Sequence, residues 1–219
     1  MVYDKNDLPH KRVPQKGQIY EVNGTACKRM PPEELTSISS ILASAFNRAD
    51  PVMEWVFHSS PTGEKLALIF ERICSGTLSE GGTLFVNPER TACCLVDDIH
   101  VGNKVAPEDC IMKKTFIDVG ADNVQKDRLT RVHETLAQHR PSYAHRYIKF
   151  FGVAPISQGK GVGKRFMKDV LNLFRHEICY LETESLANVA FWSKVGFVRG
   201  DHKKIAPTLT FYFMERACS

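Results

Sequence analysis

The passage from an apolar run into three alternating glycines, and then into helix-forming residues, constrains this chain more than any other stretch. Phe150-Phe151-Gly152-Val153-Ala154-Pro155-Ile156-Ser157-Gln158-Gly159-Lys160-Gly161-Val162-Gly163-Lys164-Arg165-Phe166 reads as strand, turn and helix start. Gly159, Gly161 and Gly163 let backbone N–H groups approach an anion with no Cβ in the way, and a helix opening near Gly161 aims its unpaired N–H groups at the same point. Lys160 and Lys164 add positive charge beside it. The expected ligand of such a turn is a pyrophosphate.

Two familiar phosphate loops do not fit the letters. A Walker loop needs a glycine five residues before Gly-Lys-Ser/Thr, but Ala154 precedes Gly159-Lys160 at that spacing, Gln158 precedes Gly163-Lys164, and neither lysine is followed by Ser or Thr. A dinucleotide fingerprint needs Gly-x-Gly-x-x-Gly where this chain has Gly-x-Gly-x-Gly, although Glu182 lies near the distance of a ribose-binding carboxylate. A dinucleotide-binding enzyme therefore stays only as a lesser alternative.

The Val-x-Pro lead-in and Gln-x-x-Gly-x-Gly spacing resemble the acetyl-coenzyme-A loop of the GNAT superfamily of N-acetyltransferases. Downstream, Tyr180-Leu181-Glu182-Thr183 reads as a short strand, and Asn188-Val189-Ala190-Phe191-Trp192-Ser193-Lys194-Val195-Gly196-Phe197 is similar to the family's second motif, Asn-x-x-Phe-Tyr-x-Lys-x-Gly-Phe. The likeness is close over residues 145–197 and looser at Asp50-Pro51 and Trp55, which resemble a segment bordering the acceptor; a buried helix-start aromatic is the other reading of Trp55. The resemblance implies an α/β fold with a mixed, mostly antiparallel central sheet, one parallel splayed pair and helices on both faces. It also implies acetyl-coenzyme A as cosubstrate, an amine acceptor, and coenzyme contacts from Phe151, Val153, Gln158, Gly159, Lys160, Gly161, Val162, Gly163, Lys164, Asn188, Trp192 and Lys194. Gln158 alternatively braces the loop, Asn188 alternatively caps a helix, and Lys194 alternatively faces solvent. The loose likeness to puromycin-type and arylalkylamine acetyltransferases, with aromatics at 55, 57, 143 and 147, leans toward a small amine.

Composition agrees with a soluble chain of this kind. A length of 219 residues, 43% hydrophobic and 25% charged, suits one substantial core, and a net charge of +4 from scattered lysines implies no nucleic acid partner. Seven cysteines show no Cys-x-x-Cys spacing and are odd in number, so free thiols in a reducing, cytoplasmic setting are expected, with Cys94 and Cys179 in the core and no metal site. No secretory leader or membrane span is read. Residues 1–17 are expected to be a flexible tail, and 18–219 one domain, monomeric or homodimeric, with a helical insertion at about 98–141. That insertion either walls the acceptor pocket or merely covers the sheet.

Elements follow from periodicity. A first strand broken at Asn23-Gly24, a helix with Leu35, Ile38, Ile41, Leu42 and Ala45 on one face, a helix from Pro51, a helix from 63 to 78 and a hairpin across Asn87-Pro88-Glu89-Arg90 are expected. Insertion helices at 108–119 and 124–137 precede a strand from about 143. Helices over 161–177 and 188–195 and strands at 197–201 and 208–214 then complete the pattern, with the strands of His145 and Tyr180 parallel through a right-handed crossover. Alternation places His145, Tyr147, Lys149, Phe151 and Val153 on one strand face and Arg146, Ile148 and Phe150 on the other.

An amine acceptor arrives as an ammonium, since alkylammonium pKa values lie around 10, and must lose a proton before attacking a thioester. Where several GNAT enzymes carry a Glu or His base this chain has Tyr147, so His145, Glu182 and Tyr147 all remain candidates. Trp192 stands where the family's motif has a Tyr that protonates the departing sulfur. An indole N–H cannot replace it, though a thiol with a pKa near 8.5 leaves with modest help. Trp192 and Tyr147 motivate a second reading, an acyl-coenzyme-A-binding sensor or regulatory subunit.

Overall fold

The computed structural model describes residues 14–46, 50–57, 63–100 and 111–218. Most of the expected 1–17 tail and the first part of the expected 108–119 helix lie outside them. Eight strands form one sheet in the order β2-β1-β3-β4-β5-β6-β8-β7. The N-terminal half supplies β1 (Gln18–Asn23), β2 (Ala26–Met30), α1 (Leu35–Phe46), α2 (Pro51–Phe57), α3 (Gly63–Ser79), β3 (Thr83–Val86) and β4 (Ala92–Ile99). Next come α4 (Ile111–Asp118), α5 (Asn123–His139), β5 (His145–Val153), α6 (Val162–Leu173), β6 (Cys179–Thr183), α7 (Leu186–Ser193), β7 (Val198–Ala206) and β8 (Leu209–Arg216).

The expected mixed sheet is present. Gly24, at φ 58°, turns the β1–β2 hairpin. The β3–β4 hairpin is tied by Asn87, whose Oδ1 accepts from the N–H groups of Thr91 and Ala92 at 2.8 and 2.7 Å. β5 and β6 run parallel as expected, but β1 and β3 form a second parallel pair. No local sequence signal assigned it, because the two strands are brought side by side only after β2 and three helices have intervened.

Ile38, Leu42, Leu66, Ile69, Phe70 and Ile73 pack α1 and α3 against one face of the sheet. Phe166, Met167, Val170 and Leu171 pack α6 against the other, joined by Trp192 and Phe197. A third cluster sets Val132 of α5 against Tyr147, Tyr180, Phe211 and Phe213. The His139 ring stacks on Phe213 with centroids 4.4 Å apart.

Two local expectations are corrected. The alternation along β5 breaks at Lys149: Leu95 of β4 pairs with Phe150 but Val96 pairs with Ile148, so Lys149 is the extra residue of a β-bulge. As a result Phe151 and Val153 share the α6 face with Ile148, while Phe150 joins the α1–α3 core. Lys149, held by Thr77 Oγ1 at 3.0 Å and Asp97 Oδ2 at 2.9 Å, does not share the face of Phe151. The second correction concerns α7, which begins at Leu186 with Ser185 as its N-cap, the Ser185 hydroxyl accepting from the N–H of Asn188 at 3.1 Å. Asn188 is therefore inside the helix and not its cap.

Candidate active site

β5 and β6 are paired only at Arg146–Cys179 and Tyr147–Tyr180. Beyond those residues they part, β5 staying with β4 and β6 with β8. The opening is a cleft of about 730 Å³ floored by Ile148–Val153 and by the end of β6. Its β6-facing backbone on β5 has no ladder partner past Tyr147, so main-chain donors are available where the strands diverge.

One end of the cleft is built from backbone. Gly159 and Gly161 adopt φ of 72° and 76°, a left-handed conformation costly for any other residue type, and Gly161 opens α6 with no side chain capping its N–H groups. Gly163 is demanded by packing: a Cβ there would lie 3.0 Å from Val153 Cγ2 and 3.1 Å from Phe151 Cζ, so its absence lets α6 approach β5. Gln158 Nε2 donates to Val153 O at 2.9 Å and so braces the loop. Lys164 and Lys194 line this end, and Lys160 is exposed outside it. Uncapped helix N–H groups, glycine backbone and nearby ammonium groups fit the diphosphate of a coenzyme A.

The middle is apolar. Trp192, 7% exposed, meets Phe151 edge-on at 5.5 Å and packs on Phe191 and Phe197. Every coenzyme residue expected from sequence except Lys160 borders the cleft. Asn188 is exposed on the wall, and its side chain makes no hydrogen bond among the described residues.

The other end is acidic and made of side chains. Glu182 faces the side of β6 that carries Tyr180, and its side chain is only 4% exposed. Burial pushes its carboxyl upward, while the Arg140 guanidinium and the adjacent Tyr147 and Tyr180 hydroxyls pull it back. Its Oε1 sits 3.9 Å from Arg140 Nη2 and has no hydrogen-bond partner among the described residues. Glu184 and Asp50 also line the cleft. Burial, then the nearby Asp50 charge, holds the Glu184 carboxyl well above the usual carboxylate range. Asp50 is raised by burial and partly relieved by N–H groups at the start of α2, Met53 N donating to its Oδ1 at 2.9 Å.

Of the three expected base candidates, the structure brings only Glu182 to the cleft. His145 lies at the start of β5 outside it, its Nδ1 2.8 Å from Tyr143 O and its ring edge-on to Tyr180; burial depresses its pKa. Tyr147 is buried behind Glu182, its hydroxyl pKa raised well above normal by burial, and contributes no surface to the cleft. Glu184 escaped the sequence reading. The signal for it was its place just past the strand that carries Glu182, where the chain leaves β6 for α7.

Residues 128–197 match the sequence model of the acetyltransferase (GNAT) family. No curated protein matches the sequence significantly. Among solved structures, the fold is similar to a Corynebacterium glutamicum protein described as histone acetyltransferase HPA2 and related acetyltransferase, at 16% identity and TM-score 0.64 over 91% of this chain and 97% of that one. It is similar to arylalkylamine N-acetyltransferase 2 from Aedes aegypti at 14% identity and TM-score 0.61, over 91% and 98% of the two chains. The Drosophila melanogaster polyamine N-acetyltransferase, described as catalysing the formation of N-acetylagmatine, aligns at 14% identity and TM-score 0.58, over 84% and 95%. The bulged, splayed sheet is thus a GNAT-type fold.

Proposed function

We propose, for a chain whose residues 128–197 are a GNAT acetyltransferase segment on a GNAT-type fold, that it transfers an acetyl group from acetyl-coenzyme A directly to the primary amine of a small molecule. The observation that carries this reading is the polarity of one continuous cleft: glycine backbone and lysines at one end, three carboxylates at the other. The first suits a diphosphate and the second an ammonium.

The proposed steps use this chain's own groups. The Glu182 carboxylate takes one proton from the bound ammonium, giving the amine a free lone pair. Burial makes it a stronger base than a solvated carboxylate, and Arg140 keeps it from being neutral when needed. The amine nitrogen attacks the thioester carbon, whose oxygen is met by unpaired N–H groups of β5 beside the cleft. The C–S bond then breaks, and the second proton of the attacking nitrogen goes to the leaving thiolate. Burial and Asp50 push the Glu184 carboxyl toward its protonated form, so Glu182 is the base in this reading. Trp192 packs under the cleft and performs no proton transfer. The acidic end also favours small cationic acceptors over neutral ones.

Thiol release from acetyl-coenzyme A over a panel of primary amines, with coenzyme titration on the same sample, tests the reading. Turnover with at least one small amine is expected. Tight coenzyme binding with no thiol release on any amine would instead favour the sensor reading motivated by Trp192, and binding of NAD in place of coenzyme A would overturn both.

A further inference from the structure

Arg140 is the C-cap of α5, the second helix between β4 and β5. Its guanidinium lies over the Tyr147 ring at 4.2 Å from the centroid and its Nη2 is 3.9 Å from Glu182 Oε1. Its Nε is buried with no hydrogen-bond partner among the described residues, and Arg140 itself contributes no surface to the cleft. A cation placed this way, outside the cleft lining, is well placed to act on the Glu182 carboxylate.

We infer that Arg140 is a positioning residue for acetyl transfer, holding the Glu182 carboxylate ionised and turned toward the cleft from behind. This rests on the reading of Glu182 as the base. Stacking on Tyr147 fixes the plane of the guanidinium, so the charge sits at a set distance from the carboxylate with little conformational freedom. A buried carboxylate without a nearby cation would stay protonated at neutral pH and take no proton from an ammonium. The segment between β4 and β5 thereby contributes to the site through one side chain, without walling the cleft with its described residues.

Other charged groups surround this pair. Tyr147 of β5 and Tyr180 of β6 face Glu182 with their hydroxyls, and the Glu184 carboxyl lies nearby just past β6, itself next to Asp50 at the start of α2. Asp97 of β4 faces Arg140, and Arg140 in turn faces His145. None of these supplies a second cation at Glu182, since Lys149 is engaged by Asp97 and Thr77.

The pH dependence of kcat/KM reads the inference directly. In Arg140→Met the acidic limb shifts upward by about one unit or more, because the base needs higher pH to ionise, while the plateau at high pH is largely recovered. Arg140→Lys, which keeps the charge but loses the planar stack on Tyr147, restores part of the limb. A guanidinium that merely braced α5 would alter melting temperature or plateau and leave the limb in place, and that result in folded Arg140→Met overturns the inference. Glu182→Gln should abolish the limb, and adding Arg140→Met to it should cost little more. A limb that persists in Glu182→Gln would sink the base assignment and this inference with it. Independently of turnover, the carboxyl carbon of Glu182 titrates by NMR at higher pH in Arg140→Met; an unchanged titration refutes the coupling even if no amine is acetylated.

Discussion

The two ends of the cleft are built by opposite means. The glycine end, the proposed coenzyme site, is made of main chain: left-handed glycines at 159 and 161, a packing glycine at 163 and the open start of α6, all within six residues of Gln158. The other end, the proposed acceptor site, is made of side chains: Asp50, just before α2, and Glu182 of β6 line it, while Tyr147 of β5 and Arg140, just past α5, back Glu182 from outside the cleft. A backbone site must be spelled locally, because only Gly permits its geometry. A side-chain site needs only that distant strands and helices arrive, so its letters are ordinary ones.

This division makes the ends separable by mutation. The largest effect is expected from Glu182→Gln, which should lower kcat by roughly 10² to 10⁴-fold near neutral pH, the usual worth of a general base, and leave the coenzyme dissociation constant unchanged. Gly163→Leu should do the reverse. The added side chain must displace Val153 or Phe151, a strain of about 1–3 kcal/mol, so coenzyme titration should weaken by roughly ten- to a hundredfold while the acidic limb of the pH profile stays put. If both variants altered binding and the pH limb together, the two ends would be one cooperative unit and the contrast would fail.

The same contrast explains what the letters revealed. The helical periods of α1, α3 and α6 and the two N-terminal turns followed from apolar spacing and turn residues, the parallel β5–β6 pair from the crossover and the resemblance, and nearly every residue expected near the coenzyme from the loop and the motif beginning at Asn188 borders the cleft. The bulge at Lys149 left no trace, because an extra residue in one strand is defined by the partner's register and not by its own side chain. It moved Phe151 and Val153 to the opposite face from His145. His145, one of the three candidates, carries the side chain whose ordinary pKa best suits a base, yet strand pairing buries it outside the cleft. Arg140 was invisible for the complementary reason: no motif surrounds it, and its role exists only where α5 ends against β5 and β6.

Glu184→Gln sharpens the acidic end on the stability axis. The folded-state carboxyl titrates well above its unfolded value, which is about 4.3, so across that window the folded chain holds more protons than the unfolded one. Stability therefore falls as pH rises from about 4 through the folded-state value. Glutamine removes that loss, and the melting temperature at pH 7 should rise by roughly 2–4 °C for each kcal/mol relieved, with no gain at pH 4. A destabilised variant at pH 7 would mean that the buried acid is compensated by contacts worth more than its ionisation cost.

The smallest effect is expected at the basic rim. Lys164 is exposed at the mouth of the glycine turn, so its attraction for a diphosphate is screened by water and by salt. Lys164→Ala should weaken coenzyme titration only about two- to fivefold at low ionic strength, a difference that shrinks as salt is raised, because the backbone N–H groups of the turn remain. Those donors are fixed dipoles at contact distance, whereas the ammonium is a mobile charge on a flexible stem. A larger loss that persists in high salt would reverse that ranking and make the side chain, rather than the glycine backbone, the principal anchor of the coenzyme end.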